Sequence, residues 1–104
     1  MSESKLKSIE AMEKLYNAGK LLYRGEFFEV ADKNISEAKS IVKDLIKEGV
    51  IDAEKGSKVL EKIDVISKLE FVPDKVNKIA DVFEEISSLS KEEFLNRLKR
   101  ATGE

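Results

Sequence analysis

The sequence predicts an all-α fold, a compact antiparallel bundle of about five helices forming one domain over residues 1–104. Three observations predict it. Apolar residues recur at three- and four-residue spacing through most of the chain. Gly, Asp, Pro and Ser punctuate that pattern where helices would stop and start. No alternating β-branched run and no Asn-Gly hairpin competes. A short stack of helical hairpins is the other arrangement such elements allow. The bundle is preferred because so short a chain caps a solenoid poorly.

The first helix is expected over residues 4–23. Ile9, Met12, Leu15, Tyr16, Leu22 and Tyr23 share a face with Gly19, and Leu21 points the opposite way. A mid-helix Gly costs about 1 kcal/mol relative to Ala, so Gly19 is expected to admit a close neighbour. Arg24-Gly25 breaks the helix, with Gly25 a left-handed cap. The second helix, residues 26–48, is the expected organising element. Phe27, Val30, Ala31, Ile35, Ala38, Ile41, Val42, Leu45 and Ile46 fill an arc of roughly 160°, wide enough to touch two neighbours.

Gly49 stops that helix and Asp52 caps the third, residues 52–70. Val59, Leu60, Ile63, Ile66 and Leu69 are its stripe, and Gly56 is expected to loosen its first turn. Phe71-Val72-Pro73 closes it, because the residue before Pro avoids helical geometry. Pro73 opens the fourth helix, residues 73–88, where Val76, Ile79, Ala80, Phe83 and Ile86 oppose Asp74, Lys78, Asp81 and Glu85. Ser90 with Glu93 forms a capping box and Leu89 with Phe94 a hydrophobic staple. Both fix the start of the fifth helix, residues 90–102, which carries Phe94, Leu95, Leu98 and Ala101.

The net charge of −2, from 19 basic and 21 acidic residues, does not imply a polyanionic partner. Cys, His, Trp and Gln are absent from the sequence. A Lys- and Glu-rich chain without Gln or Cys resembles proteins of hyperthermophiles; an AT-rich mesophile genome gives a similar bias. No apolar run is long enough to span a bilayer, and the N-terminus has no signal or transit character. A cytoplasmic protein without a membrane partner is expected.

Without His or Cys, most routes to a neutral-pH base or nucleophile are closed. Asp81 and Glu85, four apart, could ligate a hard cation, but their place on a polar helix face favours plain solvation. There is no Glu-x-x-His pair and no phosphate-binding loop. Lys14, Lys20, Lys33, Lys43 and Lys62 read as solvated. The expectation is a non-enzyme with no cofactor and no metal.

Two stretches depart from this bland surface. Residues 1–25 carry five basic and three acidic residues, and residues 91–104 four and three, against ten and fifteen between them. Lys5 and Lys7 in the first helix, with Arg97, Lys99 and Arg100 in the tail, would make a weak phosphate-facing patch. That supports an alternative function, accessory factor of a nucleic-acid enzyme such as a DNA polymerase or nuclease partner. The second stretch is LLYRGEFF, residues 21–28. Leu21, Tyr23, Phe27 and Phe28 crowd one turn and form a candidate partner-binding cluster; packing into the core is the other reading. The leading expectation is a non-enzymatic interaction module, a small accessory subunit or adaptor docking on a larger protein or on a second copy.

Residues 15–38, LYNAGKLLYRGEFFEVADKNISEA, resemble a tetratricopeptide-type hairpin through Leu15, Gly19, Tyr23, Phe27 and Ala31. The resemblance implies two packed helices around the Gly25 turn. The loop is one residue short, the later positions slip, and no second copy follows, so no function is carried over.

Overall fold

The computed structural model describes residues 2–103. Five helices follow one another: α1 (Glu3–Arg24), α2 (Phe28–Lys47), α3 (Ala53–Lys68), α4 (Val72–Ile86) and α5 (Lys91–Ala101). The all-α antiparallel bundle expected from the sequence is the fold observed. Each predicted helix is present, with ends moved by one or two residues.

The neighbour relations define the architecture. α1 packs on α2, α2 on α3, α3 on α4, and α4 back on α1, closing a four-helix ring; α5 lies against both α1 and α4. Cross-helix pairs give the directions. Lys7 meets Glu48 and Lys14 meets Glu37, so α1 and α2 are antiparallel. Lys39–Asp64 ties α2 to α3 and Lys62–Glu85 ties α3 to α4, and the short turns between these helices run each pair antiparallel. Arg24 donates to the Ala101 carbonyl at 3.3 Å, which sets α5 parallel to α1.

Three of the helices, α1, α3 and α5, start on a side-chain cap. Ser2 accepts from the Lys5 N–H, Asp52 from those of Glu54 and Lys55, and Ser90 from that of Glu93. Glu93 turns its carboxylate to Arg97 and Arg100. One cluster of buried side chains draws on all five helices, from Leu15 and Leu22 through Val42, Ile63 and Ile79 to Phe94 and Leu98. Phe94 is fully buried, with Tyr16 edge-on at 5.9 Å and Phe83 at 4.6 Å between ring centres. A Cβ on Gly19 would meet Phe94 Cζ at 3.3 Å and Leu98 Cδ1 at 3.4 Å, so Gly19 admits α5 closely, as expected.

Several expectations need correction. The organising helices are α1 and α4, with three neighbours each; α2 has two. Leu21 does not point away from the core: it is half-buried and packs against the cluster. It lies seven residues beyond Lys14, whose partner Glu37 shows that this flank faces α2. Val82 is fully buried for the analogous reason. Lys75, seven residues earlier on α4, donates to the Ile66 carbonyl of α3. Val30 is 49% exposed instead of lying in the core arc of α2. Gly56 is buried, and a Cβ there would collide with the Ile46 side chain, so it marks a tight α2–α3 approach and not a loose turn.

Lys14 and Lys62 are not merely solvated but bridge helices, to Glu37 at 2.7 Å and Glu85 at 2.9 Å. The lysine partners hold the carboxyls of Glu37, Glu48, Asp64 and Glu85 below their ordinary values, chiefly by direct hydrogen bonds.

Candidate functional site

At one end of the bundle the α1–α2 and α3–α4 turns lie side by side; α1, α3 and α5 begin at the other. The α1–α2 turn closes through Gly25, at φ 72, whose N–H reaches the Leu21 and Leu22 carbonyls. The Glu26 N–H donates to the Leu21 carbonyl at 3.1 Å. Phe27 follows at φ 50, ψ 48, the one non-glycine residue of positive φ among the described residues. Left-handed geometry costs a side-chain-bearing residue about 1–2 kcal/mol. Phe27 is also the N-cap of α2, where it offers no side-chain acceptor. Phe27 is 66% exposed and Phe28 47%.

The α3–α4 turn repeats the arrangement. Phe71 is the N-cap of α4, makes no side-chain cap bond, and is 63% exposed. Its carbonyl accepts from the Asp74 and Lys75 N–H groups. Beside this tip, Leu22, Tyr23, Val72, Pro73, Val76, Asn77, Leu95 and Lys99 line an open groove of about 290 Å³ between α1, α4 and α5. Two exposed phenylalanine tips and one mostly apolar groove thus share an end of the molecule.

Of the four residues expected to bind a partner, Phe27 and Phe28 stand in solvent. Tyr23 is half-buried in the groove wall, and Leu21 packs against the core. Phe71 was missed. Its residues read as a helix stop, yet Glu70-Phe71 before Pro73 puts a phenylalanine where a Ser or Asp cap would stand, as Glu26-Phe27 does before α2. The residues of the tetratricopeptide resemblance do form an antiparallel hairpin, but Gly19 within it packs on α5, outside the hairpin.

The basic residues of the alternative reading do not converge. Lys7 is paired with Glu48 near the start of α1, with Lys5 beside it in sequence. Arg97, Lys99 and Arg100 belong to the last turns of α5, where Arg97 and Arg100 share Glu93. The α5 C-terminus sits by Arg24, roughly 25 Å along α1 from Lys7 at 1.5 Å per residue. Asp81 is engaged by Lys78 and Lys91, and Glu85 by Lys62. Among the described residues no three His, Cys, Asp or Glu side chains gather as a metal site would require. No helix described is long and apolar enough to cross a membrane. Comparison with protein-family models, with curated proteins and with solved structures finds no match to this chain.

Proposed function

We propose that this chain is a non-enzymatic docking module, a small accessory subunit or adaptor that presents its α1–α2 and α3–α4 tips to a larger protein. The observation that carries this reading is the pair of N-caps. Phe27 and Phe71 forgo cap bonds that Ser or Asp would make, and both rings stand about two-thirds in water. Aromatic anchors of this kind are the side chains that dominate protein interfaces.

Area sets how much of the end a partner must cover. Three phenylalanines of about 150–250 Å² each, one-half to two-thirds exposed, offer roughly 300–400 Å². Any partner covering the rings alone, a second copy included, would bury about twice that over both surfaces, short of the roughly 1,200 Å² at which specific interfaces begin, so the docked surface must extend beyond the rings.

The test places a photoreactive phenylalanine analogue at position 28 and, as control, at position 6 on the opposite end. The reading predicts a monomer by light scattering and a nuclease-resistant crosslink to one protein from position 28 alone. A crosslink lost on nuclease treatment, or a homodimer crosslinked through position 28, would overturn it.

A further inference from the structure

We infer that the capped end of the bundle holds a binding site for a short alkyl chain, the apolar tail of a small amphiphile. The site is the half-enclosed cavity of about 200 Å³ between α1, α2, α3 and the end of α4. It lies at the opposite end from the phenylalanine tips and does not rest on the docking reading.

The helix lengths explain why a cavity forms there. Lys62 meets Glu85, and α4 ends one residue later, whereas α3 reaches back nine residues from Lys62 to Ala53. Nine residues of helix span about 14 Å. Lys39 meets Asp64, and α2 runs eight residues on from Lys39 to Lys47. α1 accompanies α2 to that end, with Lys7 at Glu48. α5 runs parallel to α1 with Phe94 against Tyr16, so it starts short of this end and leads away from it. Three helices therefore project past α4, and the fourth side of that end is left without a helix.

The lining selects the ligand. Ala11 of α1 and Val42 and Leu45 of α2 are buried, and Ile51 of the α2–α3 turn, Ile86 at the end of α4 and the exposed Val50 complete the apolar wall. The two polar lining residues are Ser8, whose hydroxyl donates to the Ser4 carbonyl at 3.1 Å, and Lys55, which is exposed near the start of α3. Lys55 and Lys58 act through space on Glu85, which Lys62 bonds, so charge of both signs lies near the mouth and the charge of a head group is not selected. Recognition falls to the apolar wall, which favours each methylene taken out of water. An apolar cavity of about 150 Å³ takes up benzene. The cavity here, about 200 Å³, therefore accommodates a chain of roughly six to eight carbons, with the head group outside.

The probes are straight-chain primary alcohols, butanol, hexanol, octanol and decanol. Each is titrated into the isotope-labelled full chain and read by methyl and amide chemical shifts. Saturable shifts are expected at Ala11, Val42, Leu45 and Ile86, and none at Val72, Val76 and Leu95 of the groove beside the tips. Affinity should tighten by about fourfold per methylene from butanol to hexanol, and should stop rising by decanol, when the cavity is full. Ala11→Leu, which fills the cavity from α1, should abolish the binding; the length series on the unaltered chain decides alone if that variant misfolds. Absence of saturable shifts at the cavity, shifts centred on the other groove, undiminished binding to a folded Ala11→Leu variant, or affinity still climbing at decanol would overturn the inference.

Discussion

The two ends of the bundle are built by different rules. Where α1, α3 and α5 begin, every N-cap is Ser or Asp and every cap side chain accepts first-turn N–H groups. Where α2 and α4 begin, both N-caps are phenylalanine and neither side chain caps anything. The first end takes its left-handed turn with Gly49; the second puts Phe27 into that region two residues after Gly25. An N-cap bond contributes about 1 kcal/mol, and left-handed geometry costs about as much again in a phenylalanine. The contrast teaches that one end is optimised for folding and the other is not, at the positions where aromatic rings stand in solvent.

The largest effects should come from truncating the buried apolar side chain of one end and the exposed one of the other. Leu45 is 1% exposed and lines the half-enclosed cavity under the capped end. Leu45→Ala should cost about 2–5 kcal/mol in chemical denaturation, whereas Phe71→Ala should stay within about 0.5 kcal/mol. Equal losses would erase the distinction. Next come the caps. Asp52→Ala should cost about 1 kcal/mol, because it frees two first-turn donors. At the other end the sign should reverse. Phe27→Asn, which tolerates left-handed geometry, and Phe71→Ser, which restores a cap, should each stabilise by about 0.5–1 kcal/mol.

The smallest effect is in acid. Lysine hydrogen bonds lower the carboxyls of Glu37, Glu48, Asp64 and Glu85 in the folded chain, so the unfolded chain binds more protons as these groups titrate. Their contribution is present above the unfolded carboxylate values of about 4 and is lost as pH falls through the folded ones. The melting temperature should drop slightly below about pH 4.5, and less so at high salt, since these pairs are half-exposed and screened. They tie the body and the capped end, so hydrogen exchange should quicken around Glu48 before it does around Phe27. The reverse order would show that the tips are held by charge after all.

Much of the fold was legible in the sequence. Gly25, Gly49 and Asp52 carry their turn and cap chemistry locally, and each acts as the sequence implies; Val72 is helical although it precedes Pro73, and Ser90 caps α5 while the Glu93 carboxylate turns to Arg97 and Arg100 without closing the capping box. What was not legible depends on how many neighbours a helix has. Leu21 and Val82 fall outside the stripe of a helix with one partner, but α1 and α4 each face three, which widens the buried arc. Val30 errs the other way, since its arc on α2 runs past the cover its neighbours provide. The site was half legible. Phe27 and Phe28 stood out as a doublet, while Phe71 hid behind Pro73, whose helix-stop signal explained the local sequence without it. Nothing in periodicity places Lys5 and Lys7 at the opposite end from Arg97, Lys99 and Arg100; only the path of α1 does.

Phe27 and Phe71 occupy cap positions at the expense of stability. Thermal unfolding of the double variant Phe27→Asn, Phe71→Ser tests it most directly. The melting temperature should rise, by about 4–8 °C for each kcal/mol gained in a domain of this size. A lower melting temperature would contradict it, because the two rings would then be holding the fold together and would not be set aside for a partner.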